Sequence, residues 1–288
     1  MPVLPDISLP PNLSLTRAEP CADGETNEVY SCDVTERGAE VRGYLKINKH
    51  ANLSLRNERA VLEQLAGGPL PVPRVMAFVE SPREALLTQA LPGRMIWDFI
   101  DPRRTPYAPD AVPQLLEEYG ACLARIHALP ITWQPQVRQF LYRLEPKDLA
   151  EGPEFREVLD WVEAHSLYQS RDFESVFVHG DLNIGSVLVE GGKVSGVVDW
   201  EFAGSGWREY DLAWILRART AFLNTPEERE AILRGYRRLA NFDPEALQLA
   251  EVMNYLRFTK WTPTETGRVF FLGRAKLAMM GRNPIWTN

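Results

Sequence analysis

The sequence has few of the features that mark secreted, metal-stapled or membrane-spanning proteins. It contains only three cysteines among 288 residues, Cys21, Cys32 and Cys122, and they lack the spacing of a metal-ligand set. This favours reduced thiols in the cytoplasm over a disulfide framework or a zinc site. No stretch approaches the roughly 20 apolar residues that cross a bilayer. The first residues, MPVLPDISLPPNLSL, lack a basic region followed by an apolar core, so no signal peptide is expected.

Basic residues are also in deficit. The formal net charge is -7, and because a nucleic-acid partner usually requires a basic surplus, no such partner is expected. An acidic surface suits a cationic small substrate, although many cytoplasmic proteins are acidic for solubility alone. Glycine-rich phosphate loops are missing too, since neither G-x-x-x-x-G-K-[ST] nor G-x-G-x-x-G occurs. P-loop and Rossmann nucleotide sites therefore find no support.

The residues that are present indicate two lobes. A chain of 288 residues is long for one compact domain and comfortable for two lobes that share a cleft. The first lobe, residues 1–91, is predicted to hold a small antiparallel sheet and one main helix; the second, residues 92–288, is predicted to be mainly helical. The predicted class is therefore α+β. The predicted strands are Glu28–Tyr30, Val41–Ile47, Arg74–Val79 and Ala85–Ala90, with turns at Gly24 and Gly38 and a helix over LRNERAVLEQL that ends at Gly67-Gly68.

Helices of the second lobe carry clear start signals. Thr225 is predicted to be an N-cap, with Pro226 at the first helical position and Glu228 completing a capping box. Asp243-Pro244 is predicted to begin another helix in the same way. The segment VPQLLEEYGACLARIHAL has the spacing of a further amphipathic helix.

One segment, residues 176–204, carries the pattern that points to chemistry. An apolar run is followed by a polar turn, a strand, a turn at Gly191-Gly192 and a second strand that ends at Asp199. Because a hairpin brings the ends of its strands together, Asp181 and Asp199 are expected to face one cavity. Phosphoryl transfer needs two such carboxylates, one to accept a proton and one to hold magnesium. Either Asp taken alone is more often an ordinary turn residue.

These residues carry a family resemblance. His179-Gly180-Asp181-Leu182, with the later Val198-Asp199-Trp200-Glu201, resembles the signature of aminoglycoside phosphotransferases and their choline-kinase and homoserine-kinase-like relatives, which reads H-G-D-x-x-x-x-N followed by I-D-W/F/Y-E. The resemblance implies a protein-kinase-like fold. It also implies transfer of the γ-phosphate of a magnesium-bound nucleoside triphosphate, ATP or GTP, to a hydroxyl of a small molecule.

Matched position by position, Asp181 corresponds to the catalytic base and Asp199 to a magnesium ligand. His179 corresponds to a residue that supports the catalytic loop, by hydrogen bonding rather than proton transfer. Asp211 resembles the family's buried Asp that accepts backbone hydrogen bonds from that loop; the alternative is an ordinary aspartate at a helix N-terminus. Tyr210-Asp211-Leu212-Ala213 resembles the family's helix start.

The first lobe supplies the other half of the match. A kinase of this fold needs a strand Lys for the phosphates and a helix Glu that holds the Lys, and Lys46 and Glu58 fit in type and order. Lys49 and Glu63 are the competitors if the register differs. Taken alone, each of these charges would more often be a solvated surface residue.

Other nucleotide contacts are implied by the same resemblance. Asp23-Gly24-Glu25-Thr26-Asn27 occupies the place of the phosphate-covering loop, so Gly24 and Asn27 are predicted to contact the nucleotide, although one glycine is a weak signal. Gln89 and Leu91 belong to the predicted hinge, which reads the base mainly through its backbone. The choice between ATP and GTP therefore stays open.

One position departs from the family pattern. The second metal ligand is usually an Asn, and Ser186 occupies that place; its hydroxyl is a serviceable but shorter magnesium ligand. Asn183 is a possible substitute. The departure motivates an alternative, a degenerate kinase-like protein that binds nucleotide or metabolite without transferring phosphate. An unrelated hydrolase built on Asp181, Asp199 and His179 ranks last, because it leaves Lys46 unexplained.

The acceptor is not legible from the sequence. A cationic acceptor is one candidate, since acidic side chains of the helical lobe would attract it, but charges on amphipathic helices usually face water. Tryptophans of that lobe would suit a pocket wall, but aromatic side chains on helices are more often core. The residues considered are Glu117, Glu118, Glu227, Glu228, Trp207, Trp214 and Trp261.

Overall fold

The computed structural model describes residues 7–21, 27–49, 55–130, 152–170, 172–217 and 225–282. Contacts divide the chain into two compact units. The first unit consists of the described residues of Met1–Gly93 and of Ser195–Glu201, and the second of those of Arg94–Val194 and Phe202–Asn288. The segment with Asp199 thus groups with the first unit, although the predicted lobes assign it to residues 92–288.

The first unit is built on a five-stranded antiparallel sheet in the order β1-β2-β3-β5-β4. In the central strand β3, Leu45 and Ile47 are fully buried in the hydrophobic core. Because successive side chains of a strand point to opposite faces, Lys46 lies on the other face. The strands are β1 (Leu13–Pro20), β2 (Asn27–Glu36), β3 (Ala39–Asn48), β4 (Val75–Val79) and β5 (Ala85–Gln89).

The strand β1 is absent from the sequence prediction. Its alternation of buried and exposed residues is broken, because the two buried residues, Leu13 and Ala18, are an odd number of positions apart and would lie on opposite faces of a regular strand. The pairing with β2 shifts register between Leu15 and Arg17, and such a bulge explains the broken alternation. The predicted turn at Gly38 is confirmed: Arg37 and Gly38 have φ of 51° and 84° between β2 and β3. Gly24 lies outside the described residues.

Helix α1 (Arg56–Leu65) follows β3 in sequence, as predicted. Its buried residues, Glu58, Val61 and Leu62, recur at the spacing of one helical face. The two apolar residues account for the helix packing against the sheet, and Glu58 is a carboxylate on the same buried face. A buried charge of this kind requires a partner.

The second unit is mainly helical, as predicted. Its strands are short: β7 (Ser175–Val178) pairs antiparallel with β10 (Gly204–Trp207), and β6 (Arg94–Met95) pairs with β8 (Val187–Glu190). Strand β9 (Lys193–Val197) begins in this unit, but its residues from Ser195 onward belong to the first unit. The α-helices are α2 (Ile96–Ile100), α3 (Val112–His127), α4 (Arg156–Ala164), α5 (Ser166–Ser170), α6 (Arg208–Ile215), α7 (Pro226–Arg237), α8 (Pro244–Trp261) and α9 (Glu265–Met279).

The predicted helix starts are confirmed. The hydroxyl of Thr225 accepts from the Glu228 N–H while the Glu228 side chain accepts from the Thr225 N–H, which completes the capping box of α7. Asp243 caps α8 by accepting from the N–H groups of Glu245 and Ala246. In the described part of the chain, no helix is both long enough and apolar enough to cross a membrane. All three cysteines are free.

Helices α3 and α7 approach each other closely at two glycines. A Cβ added at Gly120 would lie 1.9 Å from the Ile232 carbonyl oxygen, and one added at Gly235 would lie 1.9 Å from that of Glu117. Neither distance leaves room for a methyl group, so the crossing depends on both glycines. The contact brings His127 and Tyr236 edge to face, with ring centroids 5.6 Å apart.

Candidate active site

The first unit contains a partly buried lysine, Lys46, held by two carboxylates. Nζ of Lys46 donates to Oε1 and Oε2 of Glu58 at 2.7 and 2.8 Å and to Oδ1 of Asp199 at 2.8 Å. Lys46 lies on β3 between Val29 of β2 and Leu86 of β5, so its backbone is fixed on both sides. A strand lysine and a helix glutamate are therefore in the relationship that the sequence predicts.

The charges of this group are strongly coupled. Burial favours loss of the Lys46 proton, but the negative charges of Asp199 and Glu58 outweigh it, so the pKa of Lys46 is raised above its ordinary value. Burial also raises the pKa of the Glu58 carboxyl, against the opposing charge of Lys46. One cation between two carboxylates leaves a net negative charge on the group of Lys46, Glu58 and Asp199. This charge would attract a further cation to Asp199.

Asp199 occupies a strained position two residues after the end of β9. Its φ of 72° lies in the left-handed region that few residues other than glycine adopt. The surrounding turn is held by side-chain hydrogen bonds, in which Nδ2 of Asn57 donates to the Glu201 carbonyl at 2.9 Å and Nδ2 of Asn27 donates to Oε2 of Glu201 at 3.1 Å. Backbone strain that several contacts maintain is characteristic of functional positions.

The alternative lysine and glutamate do not join this group. Glu63 pairs with Arg59 on the exposed face of α1, at 2.8 Å, and Lys49 is exposed just beyond β3. Gln89 ends β5, where its Oε1 accepts from Nε of Arg74 at 2.9 Å, and Leu91 is partly buried. Their contacts with a nucleotide stay predictions, as does that of Asn27, whose side chain is engaged by Glu201.

In the second unit, Asp181 is held by an indole. Nε1 of Trp214, on α6, donates to Oδ1 of Asp181 at 2.9 Å. The side chain of Trp214 is 8% exposed, while Asp181 is only partly buried. A hydrogen bond to one carboxylate oxygen restricts rotation of the group. A carboxylate held in one orientation can accept a proton from a hydroxyl placed beside it. Its approach to Asp199 stays a prediction of the sequence.

Asp211 holds the loop that carries Asp181 through two hydrogen bonds to its backbone. The two carboxylate oxygens of Asp211 accept from the backbone N–H of His179 at 3.0 Å and of Gly180 at 3.1 Å. Asp211 is 1% exposed, so it is the buried brace that the family resemblance implies and not an exposed helix-terminal aspartate. His179 is itself fully buried, in keeping with a supporting role.

Two further contacts fix this loop. Gly180 has φ of 80°, and a Cβ there would lie 2.3 Å from the Phe202 carbonyl oxygen, so the position requires glycine. His127 connects Asp211 to α7: its Nε2 lies 3.3 Å from Oδ2 of Asp211 and its Nδ1 2.7 Å from the Tyr236 hydroxyl. His127, Asp211 and Tyr236 are all buried, and their hydrogen bonds link α3 and α7 to the backbone next to Asp181.

Ser186 and Asn183 occupy the far end of the same loop. Asn183 Oδ1 accepts from the Gly185 N–H at 2.8 Å, and its Nδ2 donates to the Asp181 carbonyl at 3.3 Å, so this side chain closes the turn. Ser186 is 2% exposed and immediately precedes β8. The turn at Gly191-Gly192 between β8 and β9 is as predicted, with φ of 59° and 78°.

Sequence reasoning considers Trp214 for a pocket wall but does not predict its hydrogen bond to Asp181, and it assigns no role to Asn57 or His127. Each acts through a partner distant in sequence, and a tryptophan on a helix carries no local signal that separates a hydrogen-bond donor from a core residue. Trp207, considered together with Trp214, is a core residue: it stacks on Phe173 with centroids 3.9 Å apart and its Nε1 donates to Glu209.

Comparisons with known proteins identify the family. A family model described as "Phosphotransferase enzyme family" matches residues 17–250. The chain is 25% identical over 174 residues to an aminoglycoside 3'-phosphotransferase of Escherichia coli, a match covering 56% of this chain and 62% of that protein. It is 27% identical over 196 residues to a homoserine kinase of Zymomonas mobilis, covering 62% and 58%. The matched regions thus span about three fifths of the length of these two curated relatives.

Solved structures show the fold. A thermostable mutant of aminoglycoside phosphotransferase APH(4)-Ia, in a ternary complex with ADP and hygromycin B, superposes with a TM-score of 0.68 at 18% identity, covering 93% of this chain and 94% of that one. The predicted α+β, protein-kinase-like fold is confirmed.

Proposed function

We propose that this chain, which belongs to the phosphotransferase enzyme family, transfers the γ-phosphate of ATP or GTP to a hydroxyl of a small molecule. The observation that carries the proposal is the triple contact of Lys46 Nζ with Glu58 and Asp199. A lysine fixed by a helix glutamate is what this fold uses to hold nucleotide phosphates. The ADP complex of the solved relative is in keeping with a nucleotide co-substrate.

In the first unit, the proposed role of Lys46 is to hold the phosphates. Its pKa is raised, after the lowering effect of burial is outweighed by Asp199 and Glu58, so the side chain is cationic throughout the physiological pH range. Glu58 fixes both the position and the charge of this ammonium group. Gly24, Asn27, Gln89 and Leu91 are proposed to complete the nucleotide site.

In the second unit, the proposed base is Asp181. As the acceptor oxygen attacks the γ-phosphorus, its proton passes to the Asp181 carboxylate, while the bond from phosphorus to the bridging oxygen breaks and its electron pair stays on the departing nucleoside diphosphate. Trp214 keeps one oxygen of this carboxylate engaged and thereby sets its orientation. His179 and Asp211 support the backbone of the loop.

Magnesium is proposed to bind at Asp199, with Ser186 as a second ligand. Carboxylate and hydroxyl oxygens are the hard donors that this ion prefers, and the Asp199 side chain, 37% exposed, is accessible on one side of its contact with Lys46. When bound, the ion neutralises charge on the nucleotide phosphates. The reaction is proposed to take place in the cytoplasm, where reduced thiols and nucleotide coexist.

The alternative is a degenerate kinase-like protein that binds nucleotide or metabolite without phosphoryl transfer. Ser186 in place of Asn is the observation that favours it. The enzyme is favoured by the contacts that Lys46, Glu58, Asp199 and Asp181 retain. If catalysis had been lost, several of these charged residues would be expected to have been replaced.

The test uses nucleotide hydrolysis in the presence of magnesium, with water as acceptor. Asp181→Asn is expected to lower the rate by at least about 100-fold, since a general base contributes that much or more. Asp160→Asn is the control, because Asp160 forms an exposed ion pair with Arg156 on α4. A rate unchanged by Asp181→Asn would refute the assignment of the base; nucleotide binding with no turnover in the unaltered protein would favour the degenerate alternative.

A further inference from the structure

A series of buried hydrogen bonds in the second unit ends at the backbone beside Asp181. The Tyr236 hydroxyl lies 2.7 Å from Nδ1 of His127, and Nε2 of His127 lies 3.3 Å from Oδ2 of Asp211. The same Oδ2 accepts from the His179 N–H. We call Tyr236, His127 and Asp211 the relay. It connects α7, through α3 and α6, to the loop that carries the proposed base.

The partners within the relay assign its protons. Burial raises the pKa of the Tyr236 hydroxyl, so this group is protonated and can donate. His127 is its one recorded hydrogen-bond partner among the described residues, so Nδ1 accepts that proton. In a neutral imidazole Nε2 then carries the ring proton and donates to Asp211, whose oxygens already accept from two backbone N–H groups. Each donor in the relay therefore points toward Asp211.

The surroundings leave the relay little freedom. Its three side chains are buried, and the helices α3 and α7 that carry two of them cross at Gly120 and Gly235, where neither position has room for a methyl group. On the same pair of helices, Glu117 pairs with Arg234 at 3.2 Å and with Arg238, just after α7. A buried polar network whose members are all engaged fixes one arrangement of the elements that it joins.

The backbone is anchored on both sides of Asp181. Before it, Asp211 accepts from the N–H groups of the two preceding residues. After it, the hydroxyl of Tyr119, also on α3, donates to the Leu182 carbonyl at 3.1 Å. Helix α3 thus holds the loop directly through Tyr119 and indirectly through His127. Satisfying buried polar groups would not by itself require these bonds to end at the residues that flank the base.

We propose, on the premise of the phosphotransferase function above, that Tyr236 and His127 are positioning residues for phosphoryl transfer. They act through Asp211 and not on the reactants: by holding Asp211 they keep the loop in the place from which the Asp181 carboxylate accepts the proton of the acceptor hydroxyl. Reacting groups must be held to within about 0.5 Å of their productive geometry. Loosening the relay should therefore lower kcat and leave nucleotide binding intact.

The first test is Tyr236→Phe, which removes the hydroxyl and keeps the ring. Since a misplacement of about 1 Å can cost about 100-fold in rate, we expect this smaller change to lower kcat of magnesium-dependent nucleotide hydrolysis roughly 10-fold. The nucleotide KM should change by less than about 2-fold, because Lys46 and Glu58 lie in the first unit. Thr259→Val is the control: it also removes a buried hydroxyl, but one that bonds to the Leu256 carbonyl within α8, so kcat should stay the same.

Variants of His127 test whether the effect passes through the relay. Once His127→Asn has broken the connection, Tyr236→Phe should lower kcat no further, because residues that act through one another are not additive. His127→Gln places an amide N–H near the position of Nε2, from which it reaches Asp211, whereas the shorter Asn does not. We therefore expect the Gln variant to retain a clearly higher kcat than the Asn variant. Thermal unfolding checks that each variant is folded in the assay.

Histidine ¹⁵N NMR of the unaltered protein gives a readout that does not depend on activity. The signals of His127, identified by their loss in His127→Gln, are expected to show a protonated Nε2 and an unprotonated Nδ1. A proton on Nδ1, or on both nitrogens at neutral pH, would overturn the relay. This measurement also decides the question if Tyr236→Phe fails to fold.

The outcomes separate this proposal from the function on which it rests. An unchanged kcat in Tyr236→Phe, additive effects of the two substitutions, or a Gln variant no more active than the Asn variant would each overturn the positioning role. If Asp181→Asn abolishes hydrolysis while Tyr236→Phe leaves it unchanged, the phosphotransferase function stands and the relay has a structural role alone. If the unaltered protein does not hydrolyse nucleotide, the function fails and the positioning role fails with it, whichever imidazole nitrogen carries the proton.

Discussion

Both carboxylate oxygens of Glu58 accept hydrogen bonds from Nζ of Lys46, at 2.7 and 2.8 Å. Glu58 is 3% exposed and lies on the buried face of α1 beside Val61 and Leu62. The pair therefore links the packing of a helix to the position of the one cation proposed to hold nucleotide phosphates.

Replacing Glu58 by Gln is expected to lower kcat/KM for the nucleotide by about 100-fold, because losing one charge of a buried pair costs about 2–5 kcal/mol in binding. The measurement is magnesium-dependent nucleotide hydrolysis across a range of nucleotide concentrations. Glu63→Gln on the same helix is the control, since its partner Arg59 is exposed and surface pairs contribute little. Equal effects of the two substitutions would contradict the special role of Glu58.

Replacing Asp211 by Asn is expected to destabilise the fold by about 1–3 kcal/mol and to reduce turnover, because an amide cannot accept from two backbone N–H groups as two carboxylate oxygens do. Urea unfolding measures the first effect and the hydrolysis rate the second. Asp243→Asn provides the comparison: Asp243 caps α8, where Asn serves equally well, so little change is expected. A fully stable and active Asp211→Asn variant would argue against the brace.

Gly235→Ala is expected to destabilise the protein by about 3 kcal/mol or more, since the added methyl group would collide with the Glu117 carbonyl and force two helices apart. Gly273→Ala, on α9, has open space around its Cβ and should instead stabilise by about 0.5–1 kcal/mol through helix propensity. Thermal or urea unfolding distinguishes the two signs. Similar values for both variants would mean that α3 and α7 are not in close contact.

Ser186→Ala is expected to raise the magnesium concentration at half-maximal hydrolysis roughly 10-fold, the scale on which altered ligand surroundings weaken metal sites. Ser186→Asn, which restores the family's usual amide oxygen, is expected to return it to the original value or below. The titration is performed at saturating nucleotide, with thermal unfolding to check that the buried position accepts the larger side chain. A half-maximal concentration that neither variant alters would remove Ser186 from the metal site.

Cys122 is expected not to react with Ellman's reagent at pH 8 in the folded protein. Burial raises the pKa of its thiol to about 12, so the reactive thiolate is scarce and inaccessible below that pH. Burial likewise raises the pKa of Cys32 to about 11. After unfolding, all three cysteines should react, and Cys21→Ser should remove most of the reactivity of the folded state. Rapid labelling of Cys122 under native conditions would contradict its burial.

Local signals account for what could be predicted from the sequence. The capping residues of α7, the Gly191-Gly192 turn and the alternation around Lys46 each depend on neighbours a few residues away, and the structure bears them out. Asp211 and Glu58 were predictable through a pattern of residue types at fixed order.

What was missed depends on distant partners. Trp214 lies 33 residues from Asp181 and Asn57 144 residues from Glu201, and nothing in the flanking sequence of either marks it as a donor. Strand β1 was missed for a different reason: its bulge shifts one residue out of register, so the period of two that identifies a half-buried strand is lost.

The left-handed turn at Asp199 has a consequence for how this protein tolerates length change. Side chains of a strand alternate between faces, so inserting or removing one residue anywhere in β9 would rotate the carboxylate away from Lys46. Neighbouring side chains can repack around a substitution in Lys193–Val197, but they cannot compensate for the insertion or deletion of one residue there. In a library of single-residue insertions across the gene, activity should therefore be lost abruptly over this strand, even at positions where amino-acid replacements leave the protein active.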